Sequence, residues 1–144
     1  MAEALKEGRK ALKNSDVPIG AVVVLHDQVI GRGYNQVEVL KDPTAHAEMI
    51  AITAASNNIG EKWLREASLY VTVEPCSMCA GASVLARLKR VIYGTADIKT
   101  GAHSSLFNLL NDPRLNHRIE VIPGILKEEC AALMVDFFES LRQE

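Results

Sequence analysis

Cysteine is scarce in this 144-residue chain, which has three, at positions 76, 79 and 130. So small a number excludes a disulfide framework and suits a reducing, cytoplasmic setting. An excess of positive charge is lacking as well. Sixteen Lys and Arg stand against eighteen Asp and Glu, so the net charge of −2 gives no global basic footprint and counts mildly against a nucleic-acid partner. Long apolar runs are missing. The opening Met1-Ala2-Glu3-Ala4-Leu5-Lys6 is charged and helix-forming, so neither a signal peptide nor a membrane span is expected. Repeats, low-complexity tracts and linkers are absent too. What remains is a chain in which 48% of residues are hydrophobic, expected to form one domain over residues 1–144 with enough bulk to bury a core.

Two of the three cysteines lie in Pro75-Cys76-Ser77-Met78-Cys79, downstream of His46-Ala47-Glu48. Cys76 and Cys79 are three apart at the start of an apolar helical stretch, so both thiolates project from one turn, and His46 can complete a three-ligand site. Three protein ligands leave a fourth position open, the mark of a catalytic rather than a structural zinc. H-x-E followed by P-C-x-x-C is the signature of the zinc deaminases, where the Glu is a general acid/base and not a ligand, so that role falls to Glu48. Residues two apart point to opposite sides in mid-helix, and His46 and Glu48 can serve one site only at a helix start. Asp42-Pro43-Thr44 offers a cap and a first-position proline there, and Pro75 does the same for the cysteine helix. Two helix N-termini then favour anionic ligands, and zinc lowers the pKa of water to about 7.

A redox pair or half of a structural zinc site would also place two cysteines three apart. A redox motif, however, needs no His-Ala-Glu, and a structural site needs a fourth ligand. Cys130 sits in an apolar stretch where a free cysteine behaves as a small buried hydrophobe. His26, His103 and His117 lie in polar or turn-like segments, where surface or hydrogen-bonding roles are expected.

Periodicity and turn signals divide the chain into alternating elements. Helix is expected to about residue 13, broken at 14–16, then strands at 19–25 and 29–34 joined by a turn at His26-Asp27. A helix carrying His46 and Glu48 runs to about 57, a strand at 68–72 leads into the cysteine helix to about 88, and another strand covers 90–94. A short helix at 104–110, a fifth strand at 119–122 and a last helix at about 126–142 complete the series. Strands interleaved with helices imply a three-layer α/β/α sandwich around a mixed sheet, with the two site-bearing helices on one face.

Pro18-Ile19-Gly20-Ala21-Val22, Pro43 through Glu48, Tyr70 through Ala82, Lys99-Thr100-Gly101-Ala102 and Leu115-Asn116-His117-Arg118 together resemble the bacterial tRNA-specific adenosine deaminases of the cytidine-deaminase-like superfamily. The likeness runs over essentially the whole chain. Its first three segments are shared in part with cytosine, guanine and riboflavin-pathway deaminases; the last two point to tRNA. The resemblance implies a five-stranded mixed sheet flanked by helices, a homodimer, one zinc per chain, and conversion of adenosine to inosine at the anticodon wobble position. It also implies that Asn35 contacts the flipped nucleoside and that backbone at Ala47 and Pro75 lines the pocket. Tyr34-Asn35 is equally compatible with simple strand-end turn chemistry.

Local basic clustering offsets the net charge. Arg87, Lys89, Arg90, Lys99, Arg114, His117 and Arg118 fall in the second half, where loops could meet a phosphate backbone, and Lys99, Arg114 and Arg118 are the candidate contacts. The family's C-terminal helix is implicated in holding tRNA, and Arg142 lies near the chain's end. Such charges also make an ordinary solvated face. A free-base or nucleotide deaminase shares the metal chemistry and stays open as an alternative. A non-enzymatic partner subunit that has lost its glutamate fits less well, because Glu48 is present.

Overall fold

The computed structural model describes residues 1–143. At its centre is a five-stranded mixed sheet in the order β2-β1-β3-β4-β5. Strands β1 (Gly20–Leu25) and β2 (Gln28–Tyr34) form a hairpin whose turn residues, His26 and Asp27, have φ of 49° and 63°. Two successive left-handed residues define the two-residue turn whose twist matches the strands it joins. β1 pairs antiparallel with β3 (Ser68–Val73) on its other side, while β4 (Arg90–Thr95) and β5 (Glu120–Ile122) extend the sheet in parallel with β3.

Parallel neighbours need a crossover over one face of the sheet. Helix α4 (Ser77–Leu85) makes it between β3 and β4, beside α3 (Ala47–Ile59) on the same face. Alternate strand residues Ala21, Val23, Leu69, Val71, Val91 and Tyr93 bury themselves there against Ala47, Ala51, Ala55, Ala80 and Val84. The small helix residues let sheet and helix approach closely, and β2 contributes Gly31 and Gly33 to the same contact. On the opposite face lie α1 (Ala2–Ala11), continued by a 3-10 turn at Leu12–Asn14, and α5 (Lys127–Arg142), whose Cys130 is buried against Gly94. The three-layer α/β/α arrangement expected from the sequence is therefore present, with both site-bearing helices on one face.

Two segments differ from expectation. Residues 104–110 form turns instead of a helix: the amides of Ser104 and Ser105 are drawn to the Glu74 carboxylate, and Leu106, Phe107 and Leu109 donate back to Gly101 and Ala102. A one-turn helix not anticipated, α2 (Val37–Leu40), follows Asn35 and is capped from elsewhere, by the buried Asp16 carboxylate accepting from the Glu38 amide at 2.9 Å.

A Cβ at Gly33 would strike the carbonyl oxygen of Ala47, in the first turn of α3. Gly33→Ala is therefore expected to destabilise the fold by about 1–3 kcal/mol, because backbone must move to relieve the overlap. Thermal unfolding measures this; an unchanged midpoint would show that α3 is not held by that contact.

Candidate active site

His46 and Cys76 occupy equivalent places, each the residue immediately before the first turn of its helix, α3 and α4, with extended backbone (ψ of 151° and 176°). Neither side chain caps its own helix. They point at each other instead, and Cys79, one turn into α4, completes the group. The helices begin later than the proline positions imply. Pro43 and Pro75 lie outside the helices, and Asp42 closes a turn by accepting from the Thr44 amide and hydroxyl at 2.8 and 2.7 Å. An extended residue just before the helix aims its side chain back across the helix end, which brings His46 to the cysteines while Glu48, two residues on, faces the same space.

His46 Nδ1 lies 3.6 Å from the Sγ of both Cys76 and Cys79, and the three donor atoms lie within 4.8 Å of one another. Tetrahedral zinc, with Zn–N about 2.0–2.1 Å and Zn–S about 2.3 Å, would separate N and S by about 3.6 Å. The donor set thus fits zinc in both chemistry and spacing, and it is the one such group of three among the described residues.

Taken as protein groups alone, these side chains compete for protons. The Cys76 thiol is held well below its ordinary range by the hydrogen bond from Cys79, and Cys79 is pushed up by the same bond. The His46 imidazole is raised, chiefly by its hydrogen bond with Cys76. A divalent cation replaces such shared protons, which couples metal binding to proton release. Glu48, 4% exposed and not part of the ligand group, is pushed up to about 7 by burial.

Around the cluster is a small inner pocket of about 80 Å³, lined by Asn35, Ala47, Glu48, Asp97 and Thr100 among others. Asn35 Oδ1 is buried there without a hydrogen-bond partner among the described residues. Pro75, expected to line the pocket, is not among its lining residues, although both its chain neighbours are; its carbonyl accepts from the Ala102 amide at 2.9 Å. Two larger clefts share lining residues with the pocket. One, of about 700 Å³, shares Ile19, Asn35 and His46 with it; the other, of about 450 Å³, shares Val73, Asp97 and Thr100. Val17, Ile19 and, from α5, Phe138 line both clefts, and Ile19 lines the inner pocket as well.

Basic residues are divided. Lys99 borders the second cleft and a smaller one beside it, which Arg142 also lines, and Lys41 borders the first. Arg114 and Arg118 are elsewhere. Their loop is tied to the start of β4, where His117 Nε2 lies 2.8 Å from the Leu88 carbonyl and Arg87 donates to Asn116, whereas the metal cluster lies at the other end of that strand, near Thr95. Arg114 is moreover committed to Asp112, with Nε and Nη2 at 3.0 and 2.7 Å from its two oxygens, and the guanidinium holds that carboxyl down to about 2. The chain therefore brings Lys99 to the site and carries Arg114 and Arg118 away from it.

Lys41, Phe138 and Glu74 were not singled out from the sequence. Lys41 follows a one-turn helix capped from a distance, and Phe138 reads locally as one more apolar position on α5; only the fold gives either a place at the mouth.

A sheet of this order with a His/Cys/Cys group that could hold a metal and a free buried carboxylate between two helix starts is the arrangement of a deaminase. The sequence profile of the MafB19-like deaminase family matches residues 1–142. A tRNA-specific adenosine deaminase of Bacillus subtilis (strain 168) is 46% identical over 144 residues, which is 100% of this chain and 89% of the relative. A structure from a study of A-to-I editing by tRNA:A34 deaminases at the wobble position superposes with a TM-score of 0.88 at 43% identity, covering 92% of this chain and 96% of that one. The guanine deaminase of Nitrosomonas europaea, at 22% identity and a TM-score of 0.81 over 94% and 81% of the two chains, shares the fold. The chain belongs to the tRNA-specific adenosine deaminase family.

Proposed function

We propose that this chain hydrolyses the exocyclic amine of adenosine at the wobble position of a tRNA anticodon, giving inosine and ammonia, with one zinc per chain. The observation that supports the polynucleotide reading is the pair of larger clefts that share lining residues with the inner pocket. A free base needs one mouth. A strand whose middle base is turned inward needs room on both sides for its neighbours, and the two clefts would supply it.

His46, Cys76 and Cys79 would hold the zinc. When bound, it makes water a nucleophile near neutral pH. Glu48 accepts the proton of the attacking water, delivers one to the purine ring nitrogen as C6 becomes tetrahedral, and assists the departing amine. Burial suits it to this exchange, since a carboxyl raised to about 7 both takes and gives a proton near neutrality. Asn35 presents a buried carbonyl oxygen in need of a donor, which a nucleoside hydroxyl or amine supplies. The backbone at Ala47 and Pro75 supports the pocket walls.

Cations at the rim, Lys99 foremost, would meet phosphate. Arg114 and Arg118 could join them only from a second copy of the chain. The proposed assembly is a homodimer, and exposed Leu85, Leu106, Phe107 and Leu115 supply apolar surface for it. No helix among the described residues is long and apolar enough to cross a membrane, and we place the enzyme in the cytoplasm with its substrate.

The test is a substrate comparison in one buffer. An anticodon stem-loop with adenosine at the wobble position should turn over efficiently, and free adenosine, cytidine and guanine poorly, because most binding contacts lie outside the ring. Affinity for the stem-loop should fall with salt, and Lys99→Ala should shallow the log–log slope by about one. Faster turnover of any free base or nucleoside would favour a small-molecule deaminase.

A further inference from the structure

Glu74 is another buried carboxylate, 2% exposed, to which the chemistry above gives no task. It follows β3 directly and precedes Pro75 and Cys76. Its Oε2 accepts from the amides of His103, Ser104 and Ser105 at 2.9, 3.1 and 3.3 Å, and its Oε1 from the amide of Asp97 at 3.1 Å and the hydroxyl of Ser105. Every donor belongs to residues 97–105. Within that segment Asp97 accepts from the amides of Lys99, Thr100 and Gly101, which leaves the amides of Asp97, His103, Ser104 and Ser105 to an acceptor supplied from elsewhere.

The same segment is tied to the metal cluster from its other side. Gly101 pairs with Cys76 in an isolated bridge, and the Ala102 amide donates to the Pro75 carbonyl at 2.9 Å. A Cβ at residue 101 would collide with the Glu74 carboxyl, so carboxylate and backbone are in direct contact. From this segment Asp97 and Thr100 reach the inner pocket and Lys99 reaches the cleft. Glu74 itself is outside the group of donors that could hold a metal.

We propose that Glu74 is a positioning residue for substrate: it fixes residues 97–105 across the metal cluster so that Asp97, Lys99 and Thr100 meet a bound anticodon loop in one arrangement. The proposal deepens the tRNA reading and rests on it. A charged group is worth burying here because several donors are fixed at once, and bonds to an ionised acceptor are stronger than neutral ones.

Glu74→Gln tests it in the zinc-loaded full chain. Gln keeps the shape but turns an NH2 toward the Asp97 amide or the Ser105 donors. KM for the adenosine stem-loop should rise about tenfold or more while kcat stays within about threefold and zinc remains at one per chain. Amide hydrogen exchange should quicken at Asp97, His103, Ser104 and Ser105 and stay unchanged in α3 and α4. The milder Ser105→Ala removes one donor and should raise KM about two- to fivefold. A lowered unfolding midpoint with unchanged KM would reduce Glu74 to a structural role and overturn the proposal. So would loss of zinc, or a fall in kcat at constant KM. Should Glu74→Gln fail to fold, Ser105→Ala decides: a raised KM supports the proposal and an unchanged KM overturns it. Should the wild-type chain fail to deaminate the stem-loop, the tRNA reading falls, and faster exchange at those four amides would still support the hold of Glu74 on the segment, whereas unchanged exchange would overturn it.

Discussion

Glu48→Gln is expected to leave fold and metal intact while slowing turnover by about 10²–10⁴-fold, the range for removing a general acid/base. The structure gives reasons for both halves. Glu48 is beside the metal-ligand group and not in it, so the three donors keep their places when the carboxylate is lost. Burial disfavours its ionised form, so a neutral amide of the same shape introduces no new strain. Gln cannot accept and return a proton, and the water-activating and ring-protonating steps both lose their carrier. Loss of metal from this variant would make Glu48 a ligand. Near-normal turnover would remove it from the chemistry.

Cys76→Ala and Cys79→Ala should each abolish stoichiometric zinc, whose fourth position is meant for water and not for a substitute side chain. Zinc binds the folded chain through ligands brought from two helices, so its binding energy adds to stability. At a hundredfold excess over Kd this amounts to about 2.7 kcal/mol. The wild-type unfolding midpoint should therefore rise with added zinc, and the midpoints of both variants should not. Cys130→Ser, buried under Gly94 on the opposite face of the sheet, should keep one zinc per chain and lose only packing. Full metal content in both Cys76→Ala and Cys79→Ala would contradict the ligand assignment.

Both expectations concern the part of the molecule that the sequence made most legible. His46, Glu48, Cys76 and Cys79 form two short motifs whose geometry is local: each places its ligands within one turn of a helix start, whatever the rest of the chain does. The strands were legible for a similar reason, since Val-rich runs such as residues 20–25 and 68–73 can be recognised from their own side chains. The short helix expected at 104–110 shows where local signals stop. Its apolar spacing is adequate, but the amides of Leu106, Phe107 and Leu109, which a helix would bond to carbonyls four residues back, donate to Gly101 and Ala102 in a segment that Glu74, about thirty positions earlier, holds in place. Helix α2 is the converse case, stabilised by Asp16 some twenty residues upstream. Basic residues behaved the same way. Lys99 and Arg114 look alike in sequence, yet one reaches a cleft beside the metal cluster and the other is folded onto Asp112 at the far end of β4. Asp112 is only two residues from Arg114, but the placing of their loop at the far end of β4, like the hold of Glu74 and Asp16 on their segments, depends on parts of the fold that no local window contains.

The central claim is that the chemistry occurs on adenosine held in an anticodon loop. Its most direct test is mass spectrometry of a stem-loop carrying one adenosine, at the wobble position, after incubation with the zinc-loaded protein and with Glu48→Gln in parallel. The account predicts that the wobble nucleoside becomes inosine, seen as the mass change of an amine replaced by a carbonyl, in the wild-type reaction and not in the variant. An unmodified stem-loop in a reaction where the same preparation deaminates free adenosine, cytidine or guanine would contradict it.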